Sequence, residues 1–394
     1  MDSPDVLVVA HFSGSAEGSN SRFRELARIL SHRGVAVEMV TSSFLHDAKK
    51  QRVPESADQK EMFSTTYIDE PGYPKNICFR RLWSHRIFAR NIALYLRERP
   101  VPDVIYCALP SNAVAAAVSR YAKKHGVRLI LDVQDLWPEA FEMVLKPRPL
   151  ARFALTPLRW SANRIYRRAD HVVTVSDTYS ERVKDARESG VSTTYLGTNL
   201  EVFDGYRENP WDRNDDRLQV AYIGTLGHSY NLPVVFDALR ILKKQGEKVV
   251  LHVMGTGPFE EQWKDDTQDL RKEVIFHGKL AYPDMVSRLK SCDIAVNPIV
   301  PGAAGSIINK VCDYAASGLP VVNTQECAEY RRMLDDFKAG VNVESAPEAV
   351  ASALNRLVED AKLRETLGVG ARRLAEEKFD RSVTYKKLAQ LVLR

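Results

Sequence analysis

Residues 301–324 read PGAAGSIINKVCDYAASGLPVVNT, a stretch whose residue types could hold a nucleoside diphosphate. The spacing predicts a glycine-containing loop, a helix opening at Ser306 and closing at Gly318-Leu319-Pro320, and then a strand. Ser306 and Ile307 would lie in the first turn, with Asn309 beside them. Their unpaired N–H groups and the positive end of the helix dipole suit a diphosphate. Lys310 adds a full positive charge. Asp313, three residues further on the same side, is placed to accept hydrogen bonds from two ribose hydroxyls. The same pair also reads as a surface ion pair worth under about 1 kcal/mol.

Other glycines follow short β-branched runs: Gly224 and then Thr225 in YIGTLG, Gly255 and Gly257 in MGTGP, Gly278 and Lys279 in FHGKL. Glycine at a strand end lets the backbone approach a phosphate or base, although strand-to-helix turns also use it for geometry alone. Near the start, HFSGSAEGSNSRF offers Gly14 and Gly18. Neither GxxxxGK[ST] nor GxGxxG occurs, which disfavours P-loop and dinucleotide-dehydrogenase chemistry. In DLWPE, Asp135 and Glu139 flank Trp137 and Pro138, a carboxylate-and-aromatic set suited to a sugar. Asp135 reads equally as a proton acceptor and as a helix cap.

These residues need scaffolding, and the chain supplies a regular one. Short apolar runs alternate with helical patterns: 5–10, 37–42, 103–107, 128–133, 171–175 and 193–196 in the first half, then 218–224, 249–255, 274–278, 293–298, 320–324 and 340–343. Continuous apolar strands separated by helices predict parallel sheets covered on both faces. The fold class expected is α/β, two tandem doubly wound Rossmann-like domains facing a cleft. Residues 1–205 would form the first domain, 206–216 a linker and 217–376 the second, followed by a helical segment over 377–394.

With 394 residues, 44% of them hydrophobic and 27% charged, the chain is neither disordered nor collagen-like. No apolar run is long enough for a spanning helix, and the acidic start followed by a strand argues against a signal peptide. The five scattered cysteines form no CxxC and read as reduced thiols. The expected location is cytoplasmic, with a peripheral place on the inner face of the plasma membrane as the extension. The net charge of +5 lies in residues 1–205. Segments 80–99 and 146–168 carry arginines among exposed-type aromatics, which suits either anionic membrane, a phosphorylated ligand or a plain solvated face. No nucleic-acid-binding signature accompanies them.

NKVCDYAASGLPVV resembles the donor-site signature of retaining GT-B glycosyltransferases of family 4. The early glycine loop, DLWPE, VTVSDTY, YIGTLG, GTGP and FHG fall in that family's order, and DLWPE with YIGTLGHSYNL is most similar to its bacterial surface-polysaccharide type. The resemblance implies a nucleotide-sugar donor, UDP preferred to GDP, and transfer of a hexosyl or N-acetylhexosaminyl group with retention and without a metal or other cofactor. It implies a glycan or polyprenyl-diphosphate-linked acceptor on an acceptor domain over 1–205, a nucleotide-sugar domain over 217–376, and a helix over 377–394 packing back onto the first domain. It assigns Asp313 to the ribose, Ser306 and Ile307 to the diphosphate, and Gly278 and Lys279 to the base. Gly14 would face the donor phosphates, and Gly18, Trp137 and Glu139 the acceptor. Lys310 and Asp135 would be catalytic. Two positions depart: the first acid of the E-x7-E motif falls on Gly305, and Thr225 and Asn231 stand where an Arg and Lys pair is usual. Lys310 would replace that pair, helped by His228. The alternatives are a nucleotide-sugar 2-epimerase of the same fold and a non-catalytic sugar-nucleotide-binding subunit of a transferase complex.

Overall fold

The computed structural model describes residues 4–13, 21–46, 48–52, 61–75, 78–139, 148–211, 216–303 and 305–394, with the backbone alone over 148–152. They group into two units, Met1–Tyr195 with Val383–Arg394, and Leu196–Ser382. The division precedes residue 205, because 196–205 cluster with the second unit. The return begins at 383, not 377.

The first unit runs β1 (Asp5–Val9), α1 (Arg22–Ser31), β2 (Ala36–Ser42), β3 (Phe44–Leu45), β4 (Lys50–Gln51), β5 (Ser64–Ile68), α2 (Phe79–Glu98), β6 (Val104–Leu109), α3 (Asn112–His125), β7 (Arg128–Val133), α4 (Arg148–Arg168), β8 (His171–Thr174), α5 (Asp177–Lys184) and β9 (Val191–Thr193). Among the described residues, seven strands form a sheet ordered β5-β2-β1-β6-β7-β8-β9, parallel throughout. Its central strands are apolar on both faces because both are covered. Leu7, Ile105 and Leu129 pack with Phe88, Ile92, Val118 and Ile165, and Val8, Tyr106 and Ile130 with Phe23, Leu26 and Leu30. Leu388, Ala389 and Val392 of the return segment complete the second of these cores. The edge strand β5 was not expected: its sequence, STTYI, is polar and only partly buried.

Arg22, the first residue of α1, is buried, and its Nε donates to Asp132 of β7 at 2.6 Å. Its Nη1 donates to the carbonyls of Thr194 and Tyr195, and the Tyr106 hydroxyl donates to the same Asp132 carboxylate. This network fixes where α1 starts after the early glycine loop.

The second unit runs α6 (Leu200–Gly205), β10 (Leu218–Ile223), α7 (Leu232–Gln245), β11 (Val249–Met254), α8 (Glu260–Asp266), β12 (Val274–Gly278), α9 (Tyr282–Leu289), β13 (Ile294–Asn297), α10 (Lys310–Ala316), β14 (Val321–Asn323), α11 (Ala328–Phe337), β15 (Gly340–Asn342), α12 (Pro347–Glu359) and α13 (Ala361–Leu374). α14 (Arg381–Leu393) then leads back into the first unit. The sheet order is β12-β11-β10-β13-β14-β15, all parallel. Cys107, Cys292, Cys312 and Cys327 are buried thiols, and Cys78 is partly buried. No helix among the described residues is long and apolar enough to cross a membrane.

Strand order reverses between β1 and β6 in the first unit and between β10 and β13 in the second. Loops at the carboxyl ends diverge there, and open parallel sheets bind ligands at that point.

Candidate functional site

At the reversal in the second unit, Gly224 follows β10 directly, and the chain leaving β13 returns as α10, which opens with Lys310. Lys310 is 8% exposed, and its ammonium lies 3.9 Å from the ring centres of both Tyr222 and Tyr230, with no hydrogen-bond partner among the described residues. Burial pushes its pKa well below that of an ordinary lysine. Gly224 has φ +122°, and a Cβ there would meet the Lys310 Nζ at 3.0 Å. The positive φ favours glycine, and a side chain there would crowd the lysine. The arrangement is a desolvated amine in an aromatic cage, facing a bare backbone turn. A buried cation without a counter-ion is costly, and an arriving anion relieves that cost.

The loop before Lys310 differs from expectation. The helix opens at Lys310, four residues after Ser306, and spans only Lys310–Ala316. The Ser306 carbonyl accepts from Gln325 Nε2 at 2.7 Å, so it is engaged by a side chain instead of by a helical N–H. Ser306 and Ile307 are thus buried in an irregular turn, and Asn309 is exposed. Gln325 is itself held by a row of buried amides: Asn297 donates to Asn323 and Gln325, and Asn323 donates to Asn342, across β13, β14 and β15.

Gly255 has a packing reason. A Cβ there would lie 1.8 Å from the Gly224 carbonyl oxygen, so the turns after β10 and β11 can touch only with glycine. Gly278 has φ +66° with open space around it, and Lys279 and Thr225 are exposed. His228 packs edge-on to Phe259 at 4.6 Å. Gly14 and Gly18 lie outside the described residues.

Asp313 does not pair with Lys310. It accepts from the Tyr282 hydroxyl at 2.8 Å, and Tyr282 in turn meets the Thr198 hydroxyl at 3.0 Å. Burial raises its pKa to about 6, against the lowering effects of the Tyr282 bond and the Arg381 charge. A folded-state value above the ordinary ~3.9 means that the fold favours the proton. The ligand-free protein should therefore lose stability as pH rises from about 4 to about 6. Asp313→Asn should raise the melting temperature at pH 7.5 by more than at pH 5. A gain equal at both values would contradict the assignment.

In the first unit the structure joins Asp135 to Trp137, whose indole donates to its carboxylate at 3.3 Å, with the Tyr179 hydroxyl at 3.5 Å. Burial raises the Asp135 pKa. Glu139 stands apart: Arg182 and Arg159 both pair with its carboxylate. The Trp137 ring lies beside His85 and under Arg81, whose guanidinium is 5.0 Å from it and 5.5 Å from Tyr73.

The sequence reading missed the centre of this group. His11, at the end of β1, bonds Ser111 through Nδ1 and Glu70 through Nε2, each at 2.9 Å, at the strand-order reversal. It is buried, and burial lowers its pKa. A histidine directly after VLVVA was the available signal. Its partners lie 100 and 59 residues away.

Two family models match most of the chain. Residues 17–193 match the family model "Glycosyl transferase 4-like domain" and residues 217–360 match "Glycosyl transferases group 1". An uncharacterised glycosyltransferase of Methanocaldococcus jannaschii is 22% identical over 57% of this chain and 59% of its own length. The amylovoran biosynthesis glycosyltransferase AmsK of Erwinia amylovora is 25% identical over 45% of each. The matched stretch thus spans about half the length of these curated relatives. The crystal structure of Anabaena HepE in complex with UDP shares the fold, with a TM-score of 0.71 at 15% identity over 99% of both chains. With a 4-like domain in its first half and a group 1 domain in its second, the chain belongs to the glycosyltransferases of the GT-B fold.

Proposed function

We propose that the protein transfers a sugar, with retention, from a nucleoside diphosphate sugar to a glycan or polyprenyl-diphosphate-linked glycan during bacterial surface-polysaccharide synthesis. The observation that carries the reading is the buried Lys310 ammonium, without a hydrogen-bond partner among the described residues, at the strand-order reversal of the second unit. The donor diphosphate would seat against Lys310 and the turns at Ser306, Ile307 and Gly224, with the ribose on Asp313 and the base near Gly278 and Lys279. As the bond from the anomeric carbon to the β-phosphate oxygen breaks, Lys310 neutralises the departing charge inside a dry site, where such a charge is worth several kcal/mol. The acceptor oxygen bonds the anomeric carbon on the same face as it gives up its proton, and in the first unit Asp135 is the carboxylate suited to take a proton from an acceptor hydroxyl. UDP is the preferred leaving nucleotide; HepE, of the same fold, was crystallised with UDP.

The test is a melting panel with UDP, GDP and their sugars, since a ligand of the folded state raises the midpoint as RT ln(1 + [L]/Kd). UDP or a UDP-sugar should give the largest rise, and release of UDP should require a lipid-linked acceptor and survive EDTA. A flat panel overturns the donor reading. Turnover abolished by EDTA overturns its metal independence.

We further propose that α2 and α4 rest on anionic lipid. Phe79, Trp83, Phe153 and Trp160 are more than half exposed among the arginines of these helices. Aromatic side chains at the headgroup level and arginines toward phosphate suit such a surface. Reversing the charge at Arg86, Arg90 and Arg164 should reduce co-sedimentation with phosphatidylglycerol vesicles severalfold, and unchanged binding would refute the contact.

A further inference from the structure

A cavity of about 560 Å³ opens at the carboxyl ends of β14 and β15, beside the loop that leads to Lys310. That volume is in the range of small-molecule sites. Its walls are Thr324, Glu326, Arg331, Glu344 and Ser345, with Pro301 and Ala346 as the only apolar contributors among the described residues. Carboxylates, hydroxyls and a guanidinium around one space form the donor and acceptor set that a polyhydroxylated ring satisfies.

Two bonds tie this cavity to the Lys310 loop. Glu326 Oε2 accepts the Gly302 N–H at 3.0 Å, and the neighbouring Gln325 donates to the Ser306 carbonyl. The two anchors bracket Gly305, which is exposed. A Cβ at Gly305 would meet no atom within 4 Å, and its backbone is not in the left-handed region. Neither sterics nor conformation calls for glycine there, so the backbone at Gly305 is bare beside open space. Arg331 is fixed by the Gln325 and Val343 carbonyls, and the amide row behind Gln325 keeps the anchors in register. The wall is therefore preorganised.

We infer that this cavity takes the sugar of the donor, with Glu326 accepting hydrogen bonds from its hydroxyls and Glu344 and Ser345 completing the contact. The inference rests on the donor reading above. Glu326 is then a specificity-determining residue. A carboxylate that accepts from a hydroxyl discriminates far more strongly than an apolar contact does.

Glu326→Gln keeps an acceptor for the Gly302 N–H and removes the charge. Titration with UDP alone and with UDP-glucose, UDP-galactose, UDP-N-acetylglucosamine and GDP-mannose separates the two parts of the ligand. The Kd for UDP should stay within about twofold, while the best sugar-bearing donor weakens by roughly tenfold or more. Glu344→Gln should act in the same direction. An equal loss for UDP and the UDP-sugar would make Glu326 a support of the loop and overturn the inference, as would no loss for either. Failure of every nucleotide to bind the unsubstituted protein would instead overturn the donor reading itself.

Discussion

Lys310→Met is expected to give a protein that melts at or above the temperature of the unsubstituted chain yet releases nucleotide about 10²–10³-fold more slowly. The two effects have one cause. The amine is buried between two tyrosine rings with no hydrogen-bond partner among the described residues, and its pKa is driven down by desolvation. A thioether of similar length fills the same space without that cost, so the fold gains. The departing diphosphate loses the charge aimed at it, so turnover falls. Donor binding should also take up a proton, because an anion beside Lys310 restores its ordinary affinity for one. Calorimetry in buffers of different ionisation enthalpy reads that uptake, and Lys310→Met should abolish it. A variant that turns over normally, or that merely unfolds, would refute the role.

Arg22→Met should destabilise the first unit by about 3–5 kcal/mol, since it leaves the fully buried Asp132 carboxylate without a counter-charge, held by the Tyr106 hydroxyl. It also releases the carbonyls of Thr194 and Tyr195, so α1 loses its starting point. Hydrogen exchange is the suitable measurement, because a chain of two units need not melt in one step. Amides of β1, β6 and β7 should lose protection while those of β10 and β13 serve as the internal control. Arg22→Met with Asp132→Leu should recover part of the loss, since replacing both partners removes the stranded charge. Equal protection in all strands would show that the pair contributes little.

How much of this could be read beforehand depends on where each partner lies in the chain. The central strands were legible because they are covered on both faces and stay apolar throughout; β5, at an edge, is polar and was not. Lys310 was legible from its place after a glycine loop, but its surroundings were not, since Tyr222 and Tyr230 sit far back in the sequence. The helix start was misplaced because Gln325, beyond the next strand, claims the Ser306 carbonyl. The alternative reading of Lys310 and Asp313 as a surface ion pair assumed a solvent-facing helix, whereas the first side chain turns toward β10 and the second toward Tyr282. Glu139 was taken as open to a ligand, and two arginines from α4 and α5 occupy it. Local spacing carries periodicity and glycine placement. It does not carry which distant side chain fills a given hydrogen-bonding position.

The return of Val383–Arg394 to the first unit sets the timetable of biosynthesis. Leu388, Ala389 and Val392 seal the face formed by β1 and α1, yet they emerge from the ribosome only after the whole of 196–382. The part made first is thus the part finished last. Until then, an apolar surface on nascent β1 and α1 waits uncovered, a natural client for a holding chaperone, while the later-made unit can already close on itself.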